Sequence, residues 1–324
     1  MLLIMSKSLD EMLREANIGG SSMRTDGKGY KSGFVAVVGR PNVGKSTLIN
    51  AFIDDKIVIV SDKAQTTRNR IICVYTDDKK QVVFMDTPGV HKPKHKLGEF
   101  MVQAAIESLK EVEAVLFLVA ANEKRGPGDN FVIEQLQKVN VPVYLLINKI
   151  DTLSKEELMK VIVNYQDAYP FAAIIPISAK EKDNLDAVMD ELENVLPEGP
   201  QYFPEDMVTD QPERLIISDM IREKILLKTR DEIPHAIAVD VDEMKTRDDG
   251  TTYIRATIYV ERDSQKGIII GKRGAMLKEI GAEARADIQT LLATKVFVDL
   301  WVKVKKDWRN KSGMLAELGY KNKD

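Results

Sequence analysis

One cysteine, three histidines and the lack of a bilayer-length apolar run limit what this 324-residue chain can be built on. A lone Cys73 excludes an internal disulfide framework and any cysteine-based metal cage. Its strand-like setting among Ile71, Ile72 and Val74 predicts a buried, inert thiol. The apolar runs, such as Ala114–Ala121 and Val141–Ile147, are too short to span a bilayer and read as buried strands. The opening Met1–Met5 stretch is too short for a signal-peptide core and has no basic residues before it, so a cytoplasmic location is the expectation. No internal repeat and no low-complexity tract is present. Net charge is only −3, which gives no global sign of a polyanion partner. Its distribution does: residues 201–261 hold 8 Lys+Arg against 14 Asp+Glu, and residues 262–324 hold 14 against 8.

What is present centres on Gly39, Arg40, Pro41, Asn42, Val43, Gly44, Lys45, Ser46 and Thr47, which fit G-x-x-x-x-G-K-[ST]. A β-branched run precedes them, and Leu48, Ile49 and Phe52 follow at helical spacing. A glycine-rich turn between strand and helix aims backbone N–H groups at one point, where the helix dipole also favours negative charge. Lys45 can then reach the β- and γ-phosphates, and the Ser46 hydroxyl can take a Mg²⁺ position.

From Gly33 to about Leu196 strand and helix patterns alternate, with strands expected at Phe34–Val38, Arg70–Tyr75, Gln81–Met85, Val115–Val119, Val143–Ile147 and Ile174–Pro176. Ser154, with Glu157 three residues on, forms a capping box for the helix that follows. This alternation predicts an α/β domain with a mostly parallel, doubly wound sheet and its ligand at the carboxyl ends of the strands. Residues 1–32 read as a weakly ordered extension, with a short amphipathic helix around Leu9, Met12 and Leu13. Residues 197–212 hold four prolines and no periodicity, the mark of a stiff linker between domain 33–196 and a second domain, 213–324.

Four further motifs select the nucleotide. Asp86-Thr87-Pro88-Gly89 follows a strand and places Asp86 beside the metal, with the Gly89 N–H near the γ-phosphate. Asn148-Lys149-Ile150-Asp151 follows another; Asp151 can accept two hydrogen bonds from adjacent N–H donors, which guanine presents and adenine does not. Asn148 can complement the rest of that edge and the phosphate loop, and the Lys149 stem can cover one base face. Ser178-Ala179-Lys180 offers a backbone N–H for the guanine carbonyl, and Thr66-Thr67 offers a hydroxyl, Thr67 being the choice, for Mg²⁺. Together these resemble the five sequence elements of the Ras-like GTPase superfamily. The resemblance implies GTP/GDP and Mg²⁺ as cofactors, Ser46, Thr67 and Asp86 around the metal, and Lys45, Thr67, Asn42 and Gly89 at the reaction.

Position 90 is valine, where a water-positioning glutamine stands in many of those enzymes. Slow self-hydrolysis is therefore expected, and Asn42 in the phosphate loop raises the expectation of potassium activation. His91 and His95 lie in a lysine-rich segment, read as a solvated basic switch loop in preference to a metal site.

In the second domain, Gly271-Lys272-Arg273-Gly274 has a spacing expected about once by chance with 19 glycines, so its setting carries the information. The pattern reads as a helix Glu213–Thr229, strands Ala236–Met244 and Thr251–Val260, the loop, two short helices Ala275–Ile280 and Ala282–Leu292, and a strand Lys295–Val304. The order resembles the α+β KH fold (αββααβ) in its prokaryotic form, whose glycine loop clamps about four nucleotides. That fold requires Gln265–Ile270 to be helical despite three consecutive isoleucines. The resemblance implies RNA contacts at Ile270, Gly271, Lys272, Arg273, Gly274 and Lys278. In the last strand Val296, Val298, Leu300, Val302 and Val304 share one face. Trp301, on the other, either stacks on a base or is covered by the terminal helix.

A Ras-like domain, a proline-rich linker and a KH domain resemble the Era family of bacterial ribosome-assembly GTPases over about residues 33–320. Lys63-Ala-Gln-Thr-Thr-Arg68, Phe203-Pro-Glu-Asp206, Ile221-Arg-Glu-Lys224 and Leu300-Trp-Val-Lys-Val-Lys305 carry the likeness. The resemblance implies a monomer that binds small-subunit ribosomal RNA near its 3′ end, a role in 30S subunit maturation, and peripheral association with the inner membrane. Three other classes share parts of this pattern: a binding module that only senses nucleotide, a tRNA-modification GTPase, and a membrane-associated signalling GTPase. The second needs a catalytic C-terminal cysteine, which this chain lacks.

Overall fold

Strand register fixes the first domain. In the computed structural model, which describes residues 29–63, 65–89, 93, 95–231 and 233–320, a six-stranded sheet has the order β2-β3-β1-β4-β5-β6. The strands are β1 Lys31–Gly39, β2 Ile71–Thr76, β3 Lys80–Asp86, β4 Ala114–Ala120, β5 Val143–Asn148 and β6 Ala173–Pro176. β2 runs antiparallel to β3 and the other pairs are parallel. Helices α1 Lys45–Ile53, α2 Lys96–Glu107, α3 Pro127–Leu136, α4 Lys155–Gln166 and α5 Leu185–Val195 cover the two faces.

The pleat sorts side chains between two cores. Val35 and Val37 of β1 pack with Leu48 and Phe52 of α1 and Val188 and Leu192 of α5. Phe34, Ala36 and Val38 pack with Ala105, Val132, Leu136 and Tyr165 on the other face. Buried on both sides, the strands read as unbroken apolar runs rather than as alternations. Ser154 caps α4 as its sequence predicts, accepting from Glu157 N at 3.3 Å while Glu157 Oε2 accepts from Ser154 N at 2.9 Å. Cys73 is fully buried, and burial pushes its thiol pKa up, so it stays protonated.

Two boundaries differ from the sequence reading. β1 starts at Lys31 and Tyr30 is 2% exposed, so residues 30–32 belong to the sheet domain; the short helix expected near Leu9 lies outside the described residues. The proline-rich stretch is also no free spacer. Ser32 Oγ donates to Pro200 O at 2.7 Å, Val74 N donates to Val208 O at 2.9 Å, and Thr209 Oγ1 donates to Ile72 O at 2.7 Å. The fully buried Gln81 accepts from Tyr202 N and Phe203 N, at 2.7 and 2.9 Å, and donates to Phe203 O at 2.8 Å. The stretch thus straps the exposed edge of β2, satisfying groups that an edge strand leaves open.

The second domain is an α+β unit. Helix α6 Glu213–Lys228 and a short helix α7 Ile233–Ala236 precede β7 Ala238–Thr246 and β8 Thr252–Val260. Helices α8 Asp263–Ile270 and α9 Ala275–Leu292 then lead to β9 Val296–Val304, and α10 Ser312–Glu317 follows. β7 pairs antiparallel with β8, and β8 parallel with β9. The isoleucine triplet is helical: Ile269 is fully buried while Ile268 is 50% exposed, because only one side of a helix meets the core. Gln265 Oε1 caps its start by accepting from Arg262 N at 3.1 Å. The two short helices expected after the glycine loop are one, α9, running straight through Gly281. A Cβ on Gly281 would meet Leu300 at an ordinary contact distance of 3.4 Å, so the position has room for a side chain, and a single glycine lowers helix propensity without ending the helix.

Gln81→Leu keeps the side-chain volume but strips the strap of its anchor. It should lower stability by about 2–4 kcal/mol, since buried N–H and C=O groups lose partners. Urea unfolding measures this, and limited proteolysis should cut within residues 197–212 sooner than in the parent chain.

Candidate functional site

Four strands deliver their carboxyl ends to one rim: β1 ends at Gly39, β3 at Asp86, β5 at Asn148 and β6 at Pro176. In register, Val37 lies beside Asp86 and Ala120 beside Asn148. The loops leaving these strands enclose a cleft of about 340 Å³, lined by Asn42, Gly44, Lys45, Ser46, Thr67 and Gly89 among others.

The phosphate loop turns into α1 at Gly44, whose φ of 103° suits glycine, and where a Cβ would collide with Asn148 Nδ2. Lys45 Nζ donates to Gly39 O at 3.2 Å and Arg40 O at 2.9 Å, folded over the loop it would leave for a phosphate. Burial lowers its pKa to about 8, with Asp86 pulling the other way. The three residues chosen for the metal converge. Ser46 Oγ donates to Asp86 Oδ2 at 2.9 Å and lies 3.1 Å from Thr67 Oγ1, which donates to Asp86 Oδ2 at 3.1 Å. Asp86 Oδ1 is buried with no hydrogen-bond partner, and burial raises the carboxyl pKa. Oxygen donors with one orphaned carboxylate atom fit a hard divalent cation such as Mg²⁺. Thr66 is turned away, its hydroxyl donating to Lys63 O at 2.7 Å.

Asn148 is a staple. Its Nδ2 donates to Val43 O at 2.8 Å, and its Oδ1 accepts from Lys149 N at 2.8 Å and Ala179 N at 2.9 Å. Oδ1 and one Nδ2 hydrogen thus tie three loops together, and the second Nδ2 hydrogen is left over; within Ser178–Lys180 it is the Ala179 N–H that is used here. Asp151 is exposed, and its Oδ1 accepts from Ser178 Oγ at 2.6 Å. Lys149 reaches across to donate to Asn42 O at 2.7 Å, so its stem spans the base side of the cleft. Arg40 and Thr87 contribute through the backbone only: the Arg40 guanidinium pairs with Asp129 at 2.8 Å, and Thr87 Oγ1 donates to Val37 O at 2.7 Å. Val90, His91, Lys92 and Lys94 lie outside the described residues, and among the described ones no three or more His, Cys, Asp or Glu side chains gather as a metal site.

The sequence reading missed the residues that hold the segment 56–68. Asn50 Oδ1 accepts from Val58 N at 2.9 Å, and Glu223 of α6 accepts from Val60 N at 2.9 Å and from Lys56 Nζ at 2.6 Å. Arg222, 2% exposed, donates to Gln65 O at 3.3 Å and to Thr66 O, while Asp219 holds its Nε at 3.0 Å. Arg68, equally buried, crosses the other way to Ile237 O at 2.7 Å, its guanidinium 5.6 Å from the Trp308 ring centroid. Leu97 and Met101 of α2 pack with Tyr259, Trp308 and Leu315.

In the second domain, Gly271 takes φ 72°, and a Cβ there would stand 2.6 Å from Met276 Cβ. Lys272, Arg273 and Lys278 lie at the surface beside it, and Ile270 is half-buried. A groove of about 410 Å³ continues from Gly274 past Lys278 and Arg285 to Phe297 and Leu300. Trp301 is 55% exposed and so is not covered by the terminal helix; the buried indole is Trp308.

Residues 34–149 match the family described as 50S ribosome-binding GTPase, and residues 232–309 match the KH domain family. A crystal structure of Era with MgGDPNP and nucleotides 1506–1542 of 16S ribosomal RNA is 40% identical to this chain, with a TM-score of 0.88. A point variant of Era from Aquifex aeolicus, bound to GDP and AlF₄⁻, is 41% identical with a TM-score of 0.87. Each match covers 90% of this chain and 100% of the other.

The chain belongs to the Era family.

It is a GTPase that takes guanine nucleotide and Mg²⁺, joined to an RNA-binding KH domain. In such a site Lys45 and the loop N–H groups are placed to meet the β- and γ-phosphates, Ser46, Thr67 and Asp86 would hold the cation, and the exposed Asp151 carboxylate would be available to the base. A Mg²⁺ held by Ser46, Thr67 and Asp86 would supply positive charge beside the phosphate oxygens. Lys45 is already desolvated, so its charge acts at full strength on the transferring phosphoryl group.

Phosphate contact favours the charged Lys45, so its pKa rises on nucleotide binding. Affinity for GTP should therefore be level below pH 8 and fall toward tenfold per unit between pH 8 and 9, with uptake of up to one proton. Calorimetry in buffers of different ionisation enthalpy measures both.

Proposed function

We propose that the protein is a GTP-driven switch that binds 16S ribosomal RNA near its 3′ end and acts in assembly of the 30S subunit. One observation carries the reading. The segment 56–68 supplies Thr67 to the metal site, accepts Arg222 from the KH domain on its backbone carbonyls, and sends Arg68 into that domain. Nucleotide that moves Thr67 must therefore pull on both arginine contacts, and through them on the domain that carries the RNA groove. The ribosomal target rests on the Era chain in complex with nucleotides 1506–1542. The 50S wording belongs to the family of the G domain, and the KH domain carries the choice of RNA.

Potassium acceleration belongs to this proposal. Asn42 lines the cleft, and its Nδ2 donates to Asp62 O at 2.6 Å, which leaves the amide oxygen to face a monovalent cation. A monomer in the cytoplasm, with part of the population on the inner membrane, completes the reading. No helix among the described residues is long and apolar enough to cross a membrane, so the attachment proposed is peripheral. Membrane fractionation with and without RNase tests it, because attachment through RNA is lost on digestion.

RNA capture by crosslinking should differ between GTP and GDP and fall by about tenfold or more in Gly271→Asp, where a carboxylate faces phosphate and a side chain meets positive φ. In Arg222→Ala the two nucleotide states should capture RNA equally while GTP affinity is kept. Capture indifferent to nucleotide and to Gly271→Asp would remove the reading. GTP turnover should be roughly tenfold or more faster in potassium than in sodium, a fraction of what a full cationic finger supplies. Asn42→Ala should erase that difference, and equal rates of the parent chain in the two salts would end the potassium part.

A further inference from the structure

The open face of the KH sheet carries a second cluster, outside the glycine loop and unused by the GTPase site. Residues of β8 and β9 in register set Tyr253 beside Phe297, Arg255 beside Asp299 and Thr257 beside Trp301. Even-numbered residues of both strands face the helices, so these odd-numbered ones face outward. The Tyr253 and Phe297 rings lie 6.0 Å apart and 12° from parallel. The Arg247 guanidinium sits 4.8 Å from one centroid and 5.1 Å from the other. Four residues along β9, Trp301 is held by its edge: Nε1 donates to Asp299 Oδ2 at 3.1 Å, an oxygen that also accepts from Tyr253 Oη at 2.9 Å. Phe297 is 47% exposed and Trp301 55%.

Large aromatic faces left in water on an edge strand are a liability unless something covers them. Here Asp299 is engaged by three donors, counting Arg255 Nε at 3.4 Å, and on the neighbouring strand Glu243 pairs with Lys245 at 2.8 Å and Asp242 accepts from Thr257 Oγ1 at 2.6 Å, while Arg247 and the exposed Lys303 present positive charge outward. Aromatic rings beside cationic side chains are the make-up of a sequence-tolerant platform for unpaired bases. The platform is also continuous with the RNA groove, because Phe297 and Asp299 line both.

We propose that this face is a second RNA site, in which unpaired nucleotides flanking the four held by the glycine loop pass around the β9 edge and stack on Trp301 and on the Arg247–Phe297 pair. The proposal rests on the KH groove holding RNA. It extends the footprint beyond that groove and gives the extension a stacking chemistry, largely indifferent to base identity.

Fluorescence anisotropy with the full chain tests it, using tetranucleotides and dodecanucleotides tiled across 16S nucleotides 1506–1542. Trp301→Leu and Phe297→Ala should each weaken the best dodecanucleotide by about five- to a hundredfold, the range for loss of one stacked base, and Trp301→Leu, which lies outside the groove lining, should leave the best tetranucleotide unchanged. The slope of affinity against salt should stay the same for Trp301→Leu and become shallower for Lys303→Ala. Of the chain's two tryptophans Trp308 is fully buried, so dodecanucleotide should quench emission in the parent chain and not in Trp301→Leu. Full dodecanucleotide affinity in both aromatic variants, with loss in Gly271→Asp, would overturn the platform and leave the groove standing; the face would then suit a protein partner. An equal loss for tetranucleotide and dodecanucleotide in Trp301→Leu would also overturn it, because that variant would then be acting on the groove. Binding unchanged in Gly271→Asp as well would remove the groove itself.

Discussion

The described residues of Lys56–Arg68 form neither helix nor strand and cannot satisfy their own backbone, and the rest of the molecule is arranged around that shortfall. Its amides and carbonyls are met from two directions: Asn50 from the G domain, and Glu223 and Arg222 from the KH domain. Neither domain alone completes the segment. Buried charge follows a related division: Arg68 and Arg222 are each 2% exposed and each donates to carbonyls across the boundary, while Arg222 is also paired with Asp219 on its own helix. An arginine cut off from carbonyls and rings in such a setting has no water to return to, which makes the contact all-or-none rather than graded.

Beneath the phosphate loop lies a complementary shortfall. Lys45 and Asp86 are both buried, one with its pKa lowered and the other with its pKa raised, and Asp86 Oδ1 has no partner. Burial disfavours both charges until a polyanion and a cation arrive together. Nucleotide with its metal supplies what the fold withholds, and this accounts for hydroxyls and carboxylate being gathered within 3.1 Å of one another beforehand. Thr67 belongs to this cluster and is chain neighbour to Arg68, so the two shortfalls are joined by one peptide bond.

The parts of this arrangement that are legible in the sequence are those whose chemistry is local. Gly39–Thr47, Asp86–Gly89 and Asn148–Asp151 each sit where a strand ends, and a strand end is visible as a change of pattern. Thr67 is separable from Thr66 in the sequence only by family likeness; the structure decides through which hydroxyl faces Asp86. Asn148 reads as a nucleotide residue, yet its amide holds three loops together, because a residue's spacing says nothing of which neighbour it will bind. Arg222 and Glu223 are visible as family residues but not as partners of residues more than 150 positions earlier, a pairing that only tertiary structure creates. Gly281 reads as a helix break, yet α9 runs through it, because one glycine lowers helix propensity by less than the packing of the helix face supplies. The proline-rich stretch reads as a spacer because prolines report stiffness, not what the stiff chain lies against.

That strap sets the mechanics of any rearrangement. Thr209 still bonds the sheet, and α6 begins at Glu213, so no more than Asp210–Pro212 is untethered. Three residues reach about 10 Å at full extension, and one of them is proline. A tether so short forbids the RNA-binding domain from drifting off when its arginine contacts let go. It acts as a pivot: released, the domain turns about a nearly fixed point at the β2 edge and stays at high local concentration near its seat. Opening and closing become a change of heading rather than of distance, and re-docking does not wait on diffusion.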